Sequence, residues 1–177
     1  MKIIDLTQTL YDKMPVYPGD PAVRIKQVHK LKKEGWRLRY LQFSSHVGTH
    51  VDAFSHMDVN GQALDEMPLI KFMGSAMRVA LNSRWPEKIG LAFVKIKLDL
   101  VLFPKIKATQ PPFILVNQDC EFPVELERRL LQNKIVTITD LVNLEKLPTG
   151  KKFMFYGLPL KIKDGDGSPI RAVAVIE

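Results

Sequence analysis

The chain has 177 residues, 46% apolar and 25% charged, with one cysteine and a formal net charge of +7. That is the length and balance of a single globular domain large enough to bury its own core. A lone Cys120 excludes a disulfide scaffold and a CxxC zinc ribbon, and no run approaches the roughly 18 apolar residues of a membrane span. The amino end carries Asp5, Asp12 and prolines in place of a secretory apolar core, so a cytoplasmic location is the default expectation.

In chain order, Ile3–Leu6 reads as a short strand, and the proline-rich Met14–Pro21 as a loop. Val23–Val28 and Trp36–Ser44 alternate at period two and are joined by Lys32-Lys33-Glu34-Gly35, which predicts a hairpin with Leu31–Gly35 as its turn. This stretch holds the excess charge: Arg24 to Arg39 has seven Lys or Arg and one Glu, whereas Tyr40 to Ile70 has no cation and four carboxylates. The basic hairpin tempts a nucleic-acid reading, with Trp36 and Tyr40 available for stacking. A solvated hairpin face is the commoner origin of such a pattern, and nucleic acid is not expected as a partner.

Ala76–Leu81 is a strand candidate, and Ile89–Ile106 alternates as strand structure does. Pro111-Pro112 breaks the chain before the buried strand Phe113–Val116. Pro123–Asn133 is the clearest helix, with Leu126, Leu130 and Leu131 on one face. A strand at Ile135–Ile138 makes that helix a crossover between parallel strands. Asp140–Leu144 suggests a short helical turn. Phe153–Leu158 and Ala172–Ile176 are strands separated by the glycine turn Asp164–Gly167. The sum is one mixed α/β domain spanning residues 1–177, strand-rich with few helices.

Three of the four histidines fall within His46–His56, a segment with Asp52 and no Lys or Arg. Imidazole and carboxylate are ligands for divalent metals and the usual acid/base groups. In a straight strand His50 and Asp52 share a face about 6.6 Å apart, but His46 and His50 stand about 13 Å apart, too far to share an ion. A helix is disfavoured by Val47, Thr49, Val51 and Gly48. The remaining option is a strand that bends at Gly48, bringing His46, His50 and Asp52 to a common centre with His56 close behind. A metal or acid/base site and a satisfied polar turn both remain open on spacing alone.

The segment resembles the HxGTHxDxPxH signature of the cyclase family, the group that includes bacterial kynurenine formamidase and isatin hydrolase. Pro15–Asp20 resembles that family's PVWPGD loop. Leu158–Lys161 with Asp164–Ala172 resembles its LPLK…GADGSPVRA segment, and Asp140–Leu144 its ENLVNL run. The resemblance implies a swivelling β/β/α fold, a homo-oligomer (dimer or tetramer), and hydrolysis of a small amide or cyclic amide with a divalent metal, Zn2+ or Mn2+. It implies that His46, His50 and Asp52 are metal ligands, that His56 is the catalytic acid/base, and that Tyr17 lines the substrate pocket. Three departures stand out. Phe54 replaces the signature proline. The family's later histidine and glutamate ligands fall on Glu127 and Thr139, of which only Glu127 is a metal ligand by type. The chain is also short of the family's length around residues 117–125. The alternative expectation is therefore a catalytically impaired relative, keeping the fold for binding or assembly.

Overall fold

The structure is a computed structural model and describes residues 1–176. Its elements are β1 (Lys2–Asp5), β2 (Arg24–His29), α1 (Leu31–Glu34), β3 (Leu38–Gln42), β4 (His50–Asp52), β5 (Met73–Arg78), β6 (Gly90–Phe93), α2 (Phe103–Thr109), β7 (Phe113–Asn117), α3 (Val124–Gln132), β8 (Val136–Leu141), β9 (Lys152–Tyr156), β10 (Gly167–Pro169) and β11 (Val173–Ile176). Nine strands form one mixed sheet in the order β1-β11-β9-β5-β6-β7-β8-β4-β10. β5, β6, β7 and β8 run parallel, and the outer strands on both sides are antiparallel. This is the strand-rich α/β fold with few helices that the sequence implies.

The centre of the sheet is covered on both faces, so its strands are apolar runs instead of alternating ones. Along β7, Phe113 and Leu115 point into a core with Phe72, Phe155 and Ile138. Ile114 and Val116 point the other way, against Leu126 and Leu130 of α3 and Ile106 of α2. α3 joins β7 to the parallel β8, as its three leucines predict.

Three expectations are corrected. Ile89–Ile106 is not one strand: Gly90–Phe93 is its one strand, Lys97 makes an isolated bridge to Glu121, a 3-10 turn follows at Leu100–Leu102, and α2 starts at Phe103 with a proline in its first turn. That proline fits a helix start and cannot serve a strand interior. Leu31–Gly35 is one turn of helix closed by Gly35 in the left-handed region at φ 82°. The helical turn expected at Asp140–Leu144 comes later, at Leu144–Lys146, because β8 continues to Leu141.

β2 and β3 form a separate antiparallel ribbon, as the alternation predicts. A small cluster of Met14, Val23 and Val47, flanked by Leu10, Val16, Ile25 and Phe43, anchors its base. Beyond the base every residue of β3 is exposed, whichever way its side chain points. The ribbon therefore projects, and solvates both of its faces.

Candidate functional site

Register builds the site. β4 pairs with β8 on one side and with β10 on the other. Period two sends Val51 into the core opposite Ile138, and puts His50 and Asp52 on the other face, where His50 faces Thr139. Thr137, two residues earlier on β8, reaches Asp52 with its hydroxyl. The face is the one on which α3 packs.

His46 arrives from the turn that precedes β4. Gly48 adopts φ +57°, the bend required to fold His46 back over the strand, and a Cβ there would stand 2.6 Å from the Leu10 side chain. The imidazole of His46 then lies on Gly167 of β10, where a Cβ would come within 2.5 Å of the ring. Ala53 ends the extended stretch, and a 3-10 turn at Phe54–His56 delivers His56. Its ring centroid is 4.0 Å from that of His46, and the His46 and His50 centroids are 5.2 Å apart.

Hydrogen bonds fix ring orientations. His50 Nδ1 is 2.7 Å from the Gly48 carbonyl oxygen, which can only accept, so Nδ1 carries the proton. In the neutral ring this leaves the Nε2 lone pair toward Asp52 Oδ1 at 3.4 Å and the Thr139 hydroxyl at 3.1 Å. A backbone carbonyl holding one nitrogen so that the other is free is the usual arrangement of a metal-binding histidine. His46 has carboxylates on both sides: Nδ1 is 2.8 Å from Asp52 Oδ1 and Nε2 is 3.0 Å from Asp166 Oδ2. Burial pushes its pKa down, but the hydrogen bonds and charges of Asp52 and Asp166 outweigh burial and raise it to about 9. Burial and the neighbouring His46 charge push His56 the other way, below its ordinary value.

Asp52 is fully buried, which by itself raises a carboxyl pKa. The charge of His50 and the hydrogen bonds of His46 and Thr137 overcome that and hold it well below the usual carboxylate range. Its Oδ2 accepts the Thr137 hydroxyl at 2.7 Å, and Glu127 Oε1 lies 3.2 Å from the same hydroxyl. Burial and the Asp52 charge push Glu127 up to about 9, so at neutral pH it keeps its proton and donates into this group. Glu127 thus reaches the edge of Asp52 facing away from the histidines.

Ligand atoms of His46, His50 and Asp52 all lie within 4.8 Å of one another, and so do those of His46, His56 and Asp166. The donor set fits a divalent cation. Two imidazoles meet one deeply buried carboxylate, and a second carboxyl beside it is ionised only if further positive charge enters. Of the residues singled out in the sequence, His46, His50, Asp52 and His56 are brought together and Glu127 stands one group away. Tyr17 lies in an exposed turn, 68% accessible. Asp166 and Thr137 are additional members. Asp166 sits in the Asp164–Gly167 turn, and the signal for it was Gly167 itself, kept bare by the ring of His46.

An α/β domain with a curled mixed sheet and a His–Asp cluster on its β8–β4–β10 edge is a recognisable class, and comparison places the chain in it. The cyclase family model matches residues 4–99, more than half the chain. An uncharacterized protein from Methanocaldococcus jannaschii is 33% identical over 195 residues, covering 99% of this chain and 100% of its own. Kynurenine formamidase from Salinibacter ruber is 29% identical over 209 residues, covering 98% and 97%. In fold, isatin hydrolase A from Labrenzia aggregata, bound to benzyl benzoate, superposes with a TM-score of 0.83 at 21% identity, over 99% of this chain and 94% of the other. A structure described as a potential metal-dependent hydrolase with cyclase activity gives 0.78 at 19% identity, over 98% and 96%. The chain belongs to the cyclase family.

Proposed function

We propose that the protein is a metal-dependent hydrolase of a small amide or cyclic amide, cleaving a C–N bond other than a peptide bond in the manner of an arylformamidase. The observation that carries this is the meeting of His46, His50 and Asp52 ligand atoms within 4.8 Å, with His56 against them. The relatives named formamidase support the reaction class. His46, His50 and Asp52 would hold the ion, Zn2+ or Mn2+, and Glu127 would balance its charge from behind Asp52. The ion supplies polarisation of the carbonyl and acidification of water. To ligate, His46 gives up one ring proton, which its carboxylate neighbours hold in the metal-free chain.

His56 does the proton work. Its lowered pKa leaves the ring neutral at pH 7, able to take a proton from the attacking water. As the C–N bond breaks, the same proton passes to the leaving nitrogen, giving an amine and a carboxylic acid. Asp166, 3.8 Å from His56 Nδ1 and 3.0 Å from His46 Nε2, steadies the ring pair while the charge is on it. Tyr17 would cover the substrate only if its loop or a neighbouring copy closes over the site. A homo-oligomer, dimer or tetramer, is part of the proposal: the β2–β3 ribbon exposes Val28, Trp36, Leu38, Tyr40 and Leu41, and a two-stranded ribbon is marginal without something packed on it. Among the described residues, no helix is long and apolar enough to cross a membrane.

The test is metal analysis of protein purified without chelator, followed by hydrolysis of an N-formyl aryl amide with Zn2+ or Mn2+. Bound metal and turnover that disappear in His50→Ala are expected. A chain that stays metal-free and inert with both ions refutes the proposal. A second reading, an impaired relative, has one specific observation in its favour: the Thr139 hydroxyl stands 3.1 Å from the His50 nitrogen that would ligate. On that reading, Glu127→His with Thr139→Glu raises activity above that of the unaltered chain.

A further inference from the structure

We infer that a cleft at the amino ends of the parallel strands binds a small organic anion, one with a doubly charged group such as a phosphate monoester on an apolar body. The cleft has a volume of about 670 Å³, and its walls come from the start of β5, the residues just before β6, β7 and β8, and the C-terminal ends of α2 and α3. Ligand sites commonly fall between about 300 and 1,000 Å³. It is separate from the His–Asp site: Ile135 borders the cleft and Thr139 faces His50, roughly 13 Å along β8.

Among the described residues four lysines from four segments line it, Lys71, Lys88, Lys107 and Lys134, and no carboxylate does. Among the described residues the one ion pair these lysines make is Lys134 with Asp58 at 3.2 Å. Lys71 donates to the Lys134 carbonyl at 3.0 Å, and burial pushes its pKa down. The C-terminal ends of α2 and α3 supply only fractional negative charge to the group, and the Lys107, Arg129, Leu130 and Leu131 carbonyls there already accept from the backbone N–H groups of Gln110, Asn133, Lys134 and Ile135. Lys71, Lys88 and Lys107 make no ion pair among the described residues, and an entering anion supplies the counter-charge they lack. Ile89 and Ile135 offer apolar wall between the charges. Lys88, Gln110 and Lys134 all adopt left-handed backbone without being glycine, at φ 59°, 50° and 61°, so the rim is shaped against local preference.

Calorimetric titration of the full chain with phenyl phosphate tests this, with benzyl alcohol as the uncharged counterpart. Binding is expected to weaken about tenfold or more in Lys88→Gln/Lys107→Gln. It should be unchanged in Lys26→Gln/Arg39→Gln, which removes the same charge from the ribbon. It should also persist in His50→Ala, which separates it from the His–Asp site and from the proposed hydrolysis. The inference is overturned if phenyl phosphate does not bind at millimolar concentration, if both lysine pairs weaken it equally, if the cleft pair leaves it intact, if His50→Ala abolishes it, or if benzyl alcohol binds as tightly.

Discussion

The β2–β3 ribbon and the β4 edge are neighbours in sequence and opposites in construction. The ribbon has seven cations on Arg24–Arg39, exposed side chains on both faces, and little core beyond its base. β4 follows within eight residues, is buried throughout, and has each of its polar side chains engaged. Both stretches carry unusual numbers of ionisable groups, and only the second turns them toward each other. Charge density on its own says little about function. Buried polar groups that partner one another, with one carboxyl forced to keep a proton, are the physical mark of a site.

The comparison can be broken most severely at the site. Removing the proton carrier in His56→Ala should lower kcat by about 10²–10⁴-fold with metal binding retained, measured by steady-state hydrolysis alongside metal analysis. A variant that keeps full kcat would move the proton work elsewhere. Gly167→Ala is next. Its methyl must displace the His46 ring, so a loss of about 1–3 kcal/mol of stability is expected in thermal unfolding, together with weaker metal retention.

The pH dependence of the metal-free chain is a subtler lever. Glu127 keeps a proton up to about 9 when folded but ionises near 4.5 when unfolded, and His46 holds its proton to about 9 against 6.5 unfolded. The folded chain therefore binds more protons than the unfolded one between these values, and stability falls as pH rises from about 4.5 to 9. Asp52 acts in the opposite sense: its lowered pKa contributes stability above the ordinary carboxylate range, lost as pH falls through the folded value. Melting temperatures across this range should decline with pH, less steeply in Glu127→Gln and less steeply again when Zn2+ or Mn2+ is added. A flat profile in the unaltered chain would mean that Glu127 and Asp52 do not share a proton.

The smallest effect is expected in the ribbon. Trp36→Ser with Leu38→Ser should change monomer stability by no more than about 0.5 kcal/mol, because neither side chain is buried. Light scattering after size exclusion should nevertheless show dissociation of an oligomer. An unchanged assembly would leave the ribbon a solvated arm.

How far the sequence foretold this structure depended on whether the signal was local. The bend at Gly48 followed from β-branched neighbours and the reach of a strand, and α3 from the spacing of Leu126, Leu130 and Leu131. α2 was obscured because Val, Ile and Lys alternate up to Ile106, and Pro104 was the one residue that marked the change. Asp166 was marked in the sequence only by the glycine beside it, because its partner His46 is 120 positions away and a DGDG stretch reads first as a turn. Glu127 was proposed from a resemblance. Its position behind Asp52 depends on how α3 packs over β8, and no spacing in the sequence encodes that.

The pairing of β4 with β8 and β10 has a consequence for how the protein is made. His50 meets its neighbour on β8 some ninety residues later in synthesis, and His46 meets Asp166 later still. A nascent chain emerging in order exposes all three histidines long before the strands that arrange them exist. The site is completed only once β10 has been delivered, some 120 residues after His46, so an ion held as proposed would meet its full set of partners only after Asp166 and Gly167 have emerged.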